Sequence, residues 1–315
     1  MKKKLSILFI ALVMAVLAAC GNTSTSSSSS DNEKAAEPIT VKHDLGETKV
    51  DPNPKKVVVF DMGILDTLDK LGVEVAGVPQ DSLPEYLSKY SDSKYTNVGG
   101  LKEPDLEAIS ELAPDVIFIS GRQSAAYEDL SEIAPTVYVG VDTTKYMESF
   151  KSNMELVGQI FGKEDAVKEE LANIDETISA LNDKAKAVEG KSLVVLVNDG
   201  SVSAYGSGSR FGIIHDVFGL AQADEKIEAS THGQSISFEY IAEKNPEYLF
   251  VVDRGAVVGG ESSAEKVLDN ELVNGTDAAK DGHIIYLNPN YWYLSGGGLI
   301  STEEMAKEID AGISK

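Results

Sequence analysis

Cysteine is scarce in this chain of 315 residues, and the usual signatures of hydrolases are missing. Cys20 is the only cysteine, which excludes an internal disulfide. The sequence contains neither a Gly-x-Ser-x-Gly nucleophile elbow nor a His-Glu-x-x-His motif, and its histidines do not fall at zinc-like spacings. The glycine-rich stretch at 206–212 lacks the Lys-Ser/Thr pair of a phosphate-binding loop. No catalytic nucleophile and no nucleotide site are therefore predicted.

Basic residues are also few: the chain has 28 basic and 51 acidic residues, which gives a net charge of −23. Nucleic-acid binding needs a basic face, so this class of partner is excluded. Only Arg122, Arg210 and Arg254 are arginines, which leaves 25 lysines (28 − 3). Arginine is planar, always charged and able to stack on rings, so its sparing use indicates sites where lysine would not serve.

The N-terminus has the pattern of an exported lipoprotein. Three lysines precede an apolar run from Leu5 to Leu17, which is too short to be a good transmembrane span. The run ends in Leu-Ala-Ala-Cys, which predicts a signal peptide at 1–19 and lipidation of Cys20, although a chance cysteine at an ordinary cleavage site is the alternative. Residues 20–38 form a Ser-rich tether, so the folded body is expected at the outer face of the cytoplasmic membrane.

One structural unit is used twice in the remaining chain. The phrases ISELAPDVIFISGR and IAEKNPEYLFVVDR match with an offset of 132 residues, so that Arg122 corresponds to Arg254 (254 − 122 = 132). Between them an apolar stripe with helical spacing predicts a long amphipathic helix from Glu164 to Val188. We therefore predict an N-terminal lobe at 39–162, an interlobe helix at 163–189 and a C-terminal lobe at 190–315.

Each lobe alternates short apolar strands with helices. This alternation predicts the α/β class, with two Rossmann-like lobes, parallel sheets and a single long helix joining them. Ligands of such sheets bind beyond the carboxyl ends of the strands. Asp61, Arg122, Asn198 and Arg254 follow predicted strands and are expected on the walls of a cleft between the lobes. The alternative for Arg122 and Arg254 is a structural pairing within their own lobes.

Two further loops supply candidates for the same cleft. His232 lies in the small polar loop Thr231–Ser235, and the segment Tyr291–Gly298 places Trp292 and Tyr293 before a run of glycines. A lone surface histidine and a satellite apolar cluster are the alternatives for these two loops.

Together these segments resemble one family. The Leu-Ala-Ala-Cys motif, the repeated lobe, the long helix and the segments at 101–105 (LKEPD), 230–235 (STHGQS) and 292–298 (WYLSGGG) are similar to ferric siderophore-binding lipoproteins of ABC importers. These proteins form the class III, helical-backbone group of binding proteins. Within it the sequence most resembles the petrobactin-binding, catecholate-type branch of Bacillus and its relatives.

The resemblance implies a role for each candidate. Arg122, Arg210 and Arg254 would surround an anionic ferric catecholate, with Trp292 inside the same site. His232 and Tyr293 would bind siderophore-held Fe(III) when the ligand is tetradentate. The two equivalent acidic residues, Glu107 and Glu239, would dock on the permease.

The resemblance also implies a monomeric binding protein rather than an enzyme. It would have no intrinsic cofactor, and its partners would be a ferric siderophore, the permease and its ATPase, and the membrane through the lipid anchor. The alternatives are the same fold with haem or a corrinoid as ligand, and a lipid-anchored hydrolase.

Overall fold

The computed structural model describes residues 37–314. The predicted signal peptide, Cys20 and nearly all of the predicted tether lie outside these residues. In the part that is described, no helix is both long and apolar enough to cross a bilayer. This part begins with an antiparallel hairpin of β1 (Ile39–His43) and β2 (Gly46–Val50), which the sequence analysis did not predict. The Thr48 hydroxyl donates to the Thr136 carbonyl at 2.6 Å and holds the hairpin on the first lobe.

The first sheet is fully parallel. Its strands are β3 (Val57–Val59), β4 (Gly77–Val78), β5 (Thr96–Asn97), β6 (Val116–Ile119) and β7 (Thr136–Tyr138). They lie in the spatial order β5-β4-β3-β6-β7. Every residue of β3 and β6 is buried, as expected for central strands that are covered on both faces.

Helices of two kinds surround this sheet. The α-helices are α1 (Met62–Lys70), α2 (Leu106–Leu112), α3 (Tyr127–Ile133) and α4 (Tyr146–Phe161). Short 3-10 helices lie at Gln80–Ser82, Glu85–Ser91, Gly121–Ala126 and Thr143–Lys145.

The long helix α5 (Glu164–Ala185) follows directly and has 22 residues, which corresponds to about 33 Å. Its buried residues are Val167, Leu171, Ile174, Ile178, Leu181 and Ala185. The first five of these form the stripe read from the sequence, so the predicted amphipathic face is confirmed. The helix ends three residues before Val188.

The second sheet has the same spatial plan but is mixed. Its strands are β8 (Ser192–Asn198), β9 (Ser201–Tyr205), β10 (Gln234–Ile236), β11 (Tyr248–Asp253) and β12 (Ile284–Leu287), in the order β10-β9-β8-β11-β12. The strands β8, β11 and β12 are parallel as predicted, whereas β9 runs antiparallel to both of its neighbours, β8 and β10. Asp199 and Gly200 both have positive φ, which closes β8 and β9 into a tight hairpin.

Short helices and one long helix complete the second lobe. They are α6 (Ile213–Asp216), α7 (Phe238–Lys244), α8 (Gly255–Val258), α9 (Ala264–Leu268), α10 (Glu271–Asn274), α11 (Asp277–Lys280), a π-helix at Asn290–Leu294, and α12 (Leu299–Ile313). Helix α5 packs against α4 of the first lobe and α12 of the second, so it joins the cores of the two lobes. The predicted α/β class with two sheets and a linking helix is confirmed.

The repeat seen in the sequence places an equivalent carboxylate–backbone hydrogen bond in each lobe. The Asp115 carboxylate accepts from the backbone N–H of Lys56 at 2.8 Å, just before β3. Its counterpart Glu247 accepts from the N–H of Lys191 at 2.7 Å, just before β8. The same acidic position therefore pins two neighbouring strands together in each lobe, which explains why the motif is retained.

Candidate functional site

A cleft of about 1090 Å³ lies between the two lobes, at the ends of their strands. Its walls include Asp61 and Arg122 from the first lobe and Arg210, His232 and Tyr293 from the second. Arg122 lies just beyond β6 and Arg254 just beyond β11, as the repeat predicts. The site therefore occupies the place expected for a ligand of open parallel sheets.

All three arginines of the chain converge on one tyrosine. The guanidinium carbons of Arg122, Arg210 and Arg254 lie 5.8, 4.3 and 5.7 Å from the ring centre of Tyr293. The Arg254 Nε also donates to the Tyr293 hydroxyl at 2.9 Å. These three guanidinium groups, hereafter the arginine cluster, come from distant parts of the sequence and from both lobes.

Arg122 reaches across the cleft to the backbone of the second lobe. It lies in the first turn of the 3-10 helix Gly121–Ala126, whose cap Ser120 forms a capping box with Gln123. Its two terminal nitrogens donate to the carbonyl of Tyr293 at 2.7 Å and to that of Leu294 at 3.3 Å. The alternative of a pairing within its own lobe is thus not what the structure contains.

Arg210 and Arg254 complete the cluster from the second lobe. Arg210 donates to the Tyr293 carbonyl at 2.5 Å, so this oxygen accepts from arginines of both lobes. Arg254 donates to the side-chain oxygen of Asn198 at 2.5 Å, which fixes the guanidinium at the end of β8. Carbonyl, amide and phenol oxygens thus serve as the acceptors of the cluster.

The cluster lacks a carboxylate partner. In residues 37–314, no Asp or Glu oxygen lies within 4.0 Å of any of the three guanidinium groups, whereas lysines form all of the ion pairs found there. Burial, and next the charge of Arg122, lower the pKa of Arg210. Burial of unpaired charge is unfavourable, so an anion bound beside the guanidinium groups would be stabilised.

The same charges act on Tyr293. Burial by itself raises the pKa of this phenol, but the hydrogen bond from Arg254 and the charges of Arg210, Arg254 and Arg122 outweigh burial. The pKa of Tyr293 therefore lies below its ordinary value. A phenolate is a hard oxygen donor of the kind that suits Fe(III).

His232 borders the same cleft on an exposed loop that leads into β10. Its backbone N–H donates to the Ser230 hydroxyl oxygen at 3.2 Å. Gly233 follows with a φ of +72°, and a Cβ there would lie 2.7 Å from the Tyr205 ring, so only glycine fits. The imidazole is thus presented by a tight turn on the wall that also carries Tyr293.

Trp292 lies at the cleft but is largely covered by other side chains. Although the residue borders the cleft, it is only 2% exposed, and edge-to-face contacts with Phe211 and Phe218 cover its ring. Its N–H already donates to the Glu308 carboxylate at 2.7 Å. The indole therefore supports the Tyr293 segment from behind, and its contact with the ligand stays a prediction.

Glu107 and Glu239 occupy equivalent, exposed positions in the first turns of α2 and α7. Their helices begin after the capping residues Asp105 and Ser237, which are also 132 residues apart. The acidic pair therefore has the matched geometry that the repeat predicts, and its docking role stays a prediction.

Sequence analysis missed Asp66 and Tyr86, which contact the segment that carries Tyr293. Asp66 is fully buried in α1, and the Tyr86 hydroxyl contacts both Asp66 and Ser295. The one available signal was a carboxylate inside an otherwise apolar helical run, Met62–Leu68.

Comparisons with known proteins identify a family and similar binding proteins. The family model for periplasmic binding proteins matches residues 57–291. The petrobactin-binding protein YclQ of Bacillus subtilis is 58% identical over 99% of this chain and 100% of that protein, and the ferric-anguibactin-binding protein FatB of Vibrio anguillarum is 33% identical over 87% of each.

Two solved structures of binding proteins are similar to this chain. The YclQ crystal structure superposes with a TM-score of 0.87 at 57% identity, covering 89% of this chain and 100% of that one. The catecholate-siderophore binding protein VctP of Vibrio cholerae gives 0.83 at 36% identity, covering 87% and 100%. These relatives are substrate-binding proteins and not enzymes. The chain belongs to the periplasmic binding protein family.

Proposed function

We propose that this protein captures a ferric catecholate-type siderophore in the interlobe cleft and delivers it to the permease and ATPase of an ABC importer. The observation that carries the proposal is the arginine cluster, which holds three buried or half-buried charges without a carboxylate partner among the described residues. A ferric catecholate supplies both the negative charge and flat aromatic faces on which guanidinium groups stack.

Petrobactin is the siderophore that we propose. The relative with 58% identity over nearly the whole chain is named for petrobactin binding, and a structural neighbour is titled a catecholate-siderophore binding protein. With a tetradentate ligand, His232 and Tyr293 would complete the iron coordination. The lowered pKa of Tyr293 supports this role, because a phenol with a lower pKa loses its proton more readily to form the phenolate.

The remaining partners are proposed from the sequence and the repeat. Glu107 and Glu239 would pair with basic residues of the permease, one from each lobe. Cys20 would carry the lipid that holds the protein at the outer face of the cytoplasmic membrane, and two relatives are named as lipoproteins. The protein would act as a monomer without an intrinsic cofactor.

The test is a titration of the mature protein, monitored by the fluorescence of its single tryptophan. Trp292 lies directly beside Tyr293, so an iron complex in the cleft should quench its emission. Ferric petrobactin should quench at far lower concentration than ferric anguibactin, iron-free petrobactin, haem or a corrinoid. Preferential binding of haem or a corrinoid would overturn the proposal, and so would equal binding of ferric and iron-free petrobactin.

A further inference from the structure

A buried carboxylate of the first lobe lies against the start of the last helix. Asp66 in α1 is 0% exposed and accepts from the backbone N–H groups of Ile300 at 3.3 Å and Ser301 at 3.0 Å. These N–H groups belong to the first turn of α12, where no intrahelical acceptor exists. A carboxyl group from one lobe thus satisfies the helix terminus of the other.

Glycines make this approach possible. A Cβ at Gly298 would collide with the Asp66 carboxyl, and a Cβ at Gly63 would lie 2.9 Å from the backbone of Gly297 and Gly298. The absence of a Cβ at Gly63 and Gly298 therefore allows this contact. It keeps α1 and the N-terminus of α12 within hydrogen-bonding distance.

A tyrosine continues the contact into the segment that carries Tyr293. The Tyr86 hydroxyl lies 3.0 Å from the Asp66 carboxyl and 2.7 Å from the Ser295 hydroxyl. Ser295 in turn donates to the Asn290 carbonyl at 2.6 Å. Asp66, Tyr86 and Ser295, hereafter the relay, therefore connect α1 to both ends of the π-helix that presents Tyr293.

The donors and acceptors within the relay can be assigned from its contacts. The Ser295 hydroxyl has one hydrogen and gives it to Asn290, so it accepts from Tyr86. The Tyr86 hydroxyl is also the donor toward the Asp66 carboxyl, so it lies between two acceptors, one on each side of the relay. Burial raises the pKa of Asp66 to about 7, although the hydrogen bonds from Ser301, Tyr86 and Ile300 act in the opposite direction.

We propose that Asp66 and Tyr86 are positioning residues that hold the Tyr293 segment in register with the arginine cluster, by bridging the first lobe to Ser295. This inference rests on the proposed function, since it assigns how the same cleft is kept ready for its ligand. The Tyr293 carbonyl, which accepts from Arg122 and Arg210, is the atom whose place the relay fixes. Loss of the relay displaces this acceptor and loosens the cluster.

The chain contains its own control for the experiment. Tyr90 donates to Asp69 at 2.8 Å, and this pair joins the same 3-10 helix to the same helix α1. Its contacts stay within the first lobe, far in sequence from Tyr293. Tyr86→Phe and Tyr90→Phe each remove one phenol hydroxyl that hydrogen-bonds to an α1 carboxyl, but only Tyr86→Phe cuts the relay.

The first measurement is hydrogen exchange of residues 290–301 in the mature protein without ligand. Tyr86→Phe and Ser295→Ala should accelerate exchange in this segment, whereas Tyr90→Phe should leave it unchanged. Equal acceleration by Tyr86→Phe and Tyr90→Phe would overturn the inference. This measurement needs no ligand, so it decides the inference even where ferric petrobactin does not bind and the proposed function fails.

The second measurement is the dissociation constant for ferric petrobactin in a double-mutant cycle. Tyr86→Phe should weaken binding roughly three- to tenfold, the loss of about one hydrogen bond. The same change should matter less in an Arg122→Ala background, because Tyr86 acts through the Tyr293 carbonyl that Arg122 contacts. Additive effects of Tyr86→Phe and Arg122→Ala, or a Tyr90→Phe loss as large as that of Tyr86→Phe, would refute the positioning role.

Discussion

Replacement of Arg122 should weaken ferric petrobactin binding more than its hydrogen bonds alone imply. Within residues 37–314 this side chain donates to the carbonyls of Tyr293 and Leu294, so its hydrogen bonds go to neutral oxygens. A bound anion adds a charged interaction that is worth about 1.5–3 kcal/mol. Arg122→Ala should therefore weaken binding by roughly ten- to a hundredfold.

Lysine should restore only part of this loss. The Arg122 fork contacts two carbonyls of the other lobe at once, and its carbon lies 5.8 Å from the Tyr293 ring centre. An ammonium group is a compact, strongly hydrated point charge and cannot reproduce this geometry. The same order, Arg then Lys then Ala, is expected at Arg210 and Arg254. The three losses should not add, because the groups share one ligand and one tyrosine.

Lys102 supplies a charge-matched control. It borders the same cleft but is exposed, so Lys102→Ala should change affinity less than about threefold and mainly at low salt. Dissociation constants should be measured by tryptophan quenching, with thermal melts of every variant. Full affinity in Arg122→Ala and Arg254→Ala would refute the reasoning. A loss that merely follows a collapsed melting temperature would return these residues to a structural role.

Three further predictions concern other groups. Tyr293→Phe and His232→Ala should each change the visible spectrum of a ferric bis-catecholate complex, because a phenolate–iron band or an imidazole donor is lost, and an unchanged spectrum and affinity would argue against coordination. Charge reversal at both Glu107 and Glu239 should abolish uptake while ligand affinity stays normal; normal uptake would contradict the docking role. The free energy of unfolding should fall as pH rises from about 4 to about 7, because the folded protein holds the Asp66 proton more tightly than the unfolded chain does. This contribution is complete below the unfolded pKa and declines by at most about 1.4 kcal/mol per pH unit; an Asp66→Asn protein with the same slope over this range, measured by denaturant melts, would contradict the assignment.

The buried parallel strands and the long helix could be predicted because their signals are local. Strands such as β6 are short apolar runs bounded by turn residues, and the stripe of α5 repeats at helical spacing over 22 residues. The hairpin of β8 and β9 was not predicted, although Asp199-Gly200 is a hairpin signal and Ser201–Tyr205 begins with alternating polar and apolar residues. The direction of β9 and β10 therefore had to come from the structure.

The side chains of the candidate site could be predicted from the sequence, but the backbone carbonyl at its centre could not. The scarcity of arginine and the repeat pointed to Arg122 and Arg254, and both lie at the ends of equivalent strands. The acceptor that joins Arg122 to Arg210 is a backbone carbonyl, which every residue has and which therefore leaves no sequence signal. Likewise, the reason for Gly298 depends on Asp66 of α1, more than 220 residues earlier in the chain (298 − 66 = 232).

The structure also accounts for how the cleft keeps three like charges close together. Sequence alone predicts repulsion between arginines that face each other from two lobes. Instead, the carbonyl and ring of Tyr293 lie among the guanidinium groups, with Asn198 and Leu294 supplying further oxygens. Neutral dipoles orient the cluster but leave its net charge in place. An arriving anion therefore meets donors that are already aimed, so little of its binding energy is lost in ordering them.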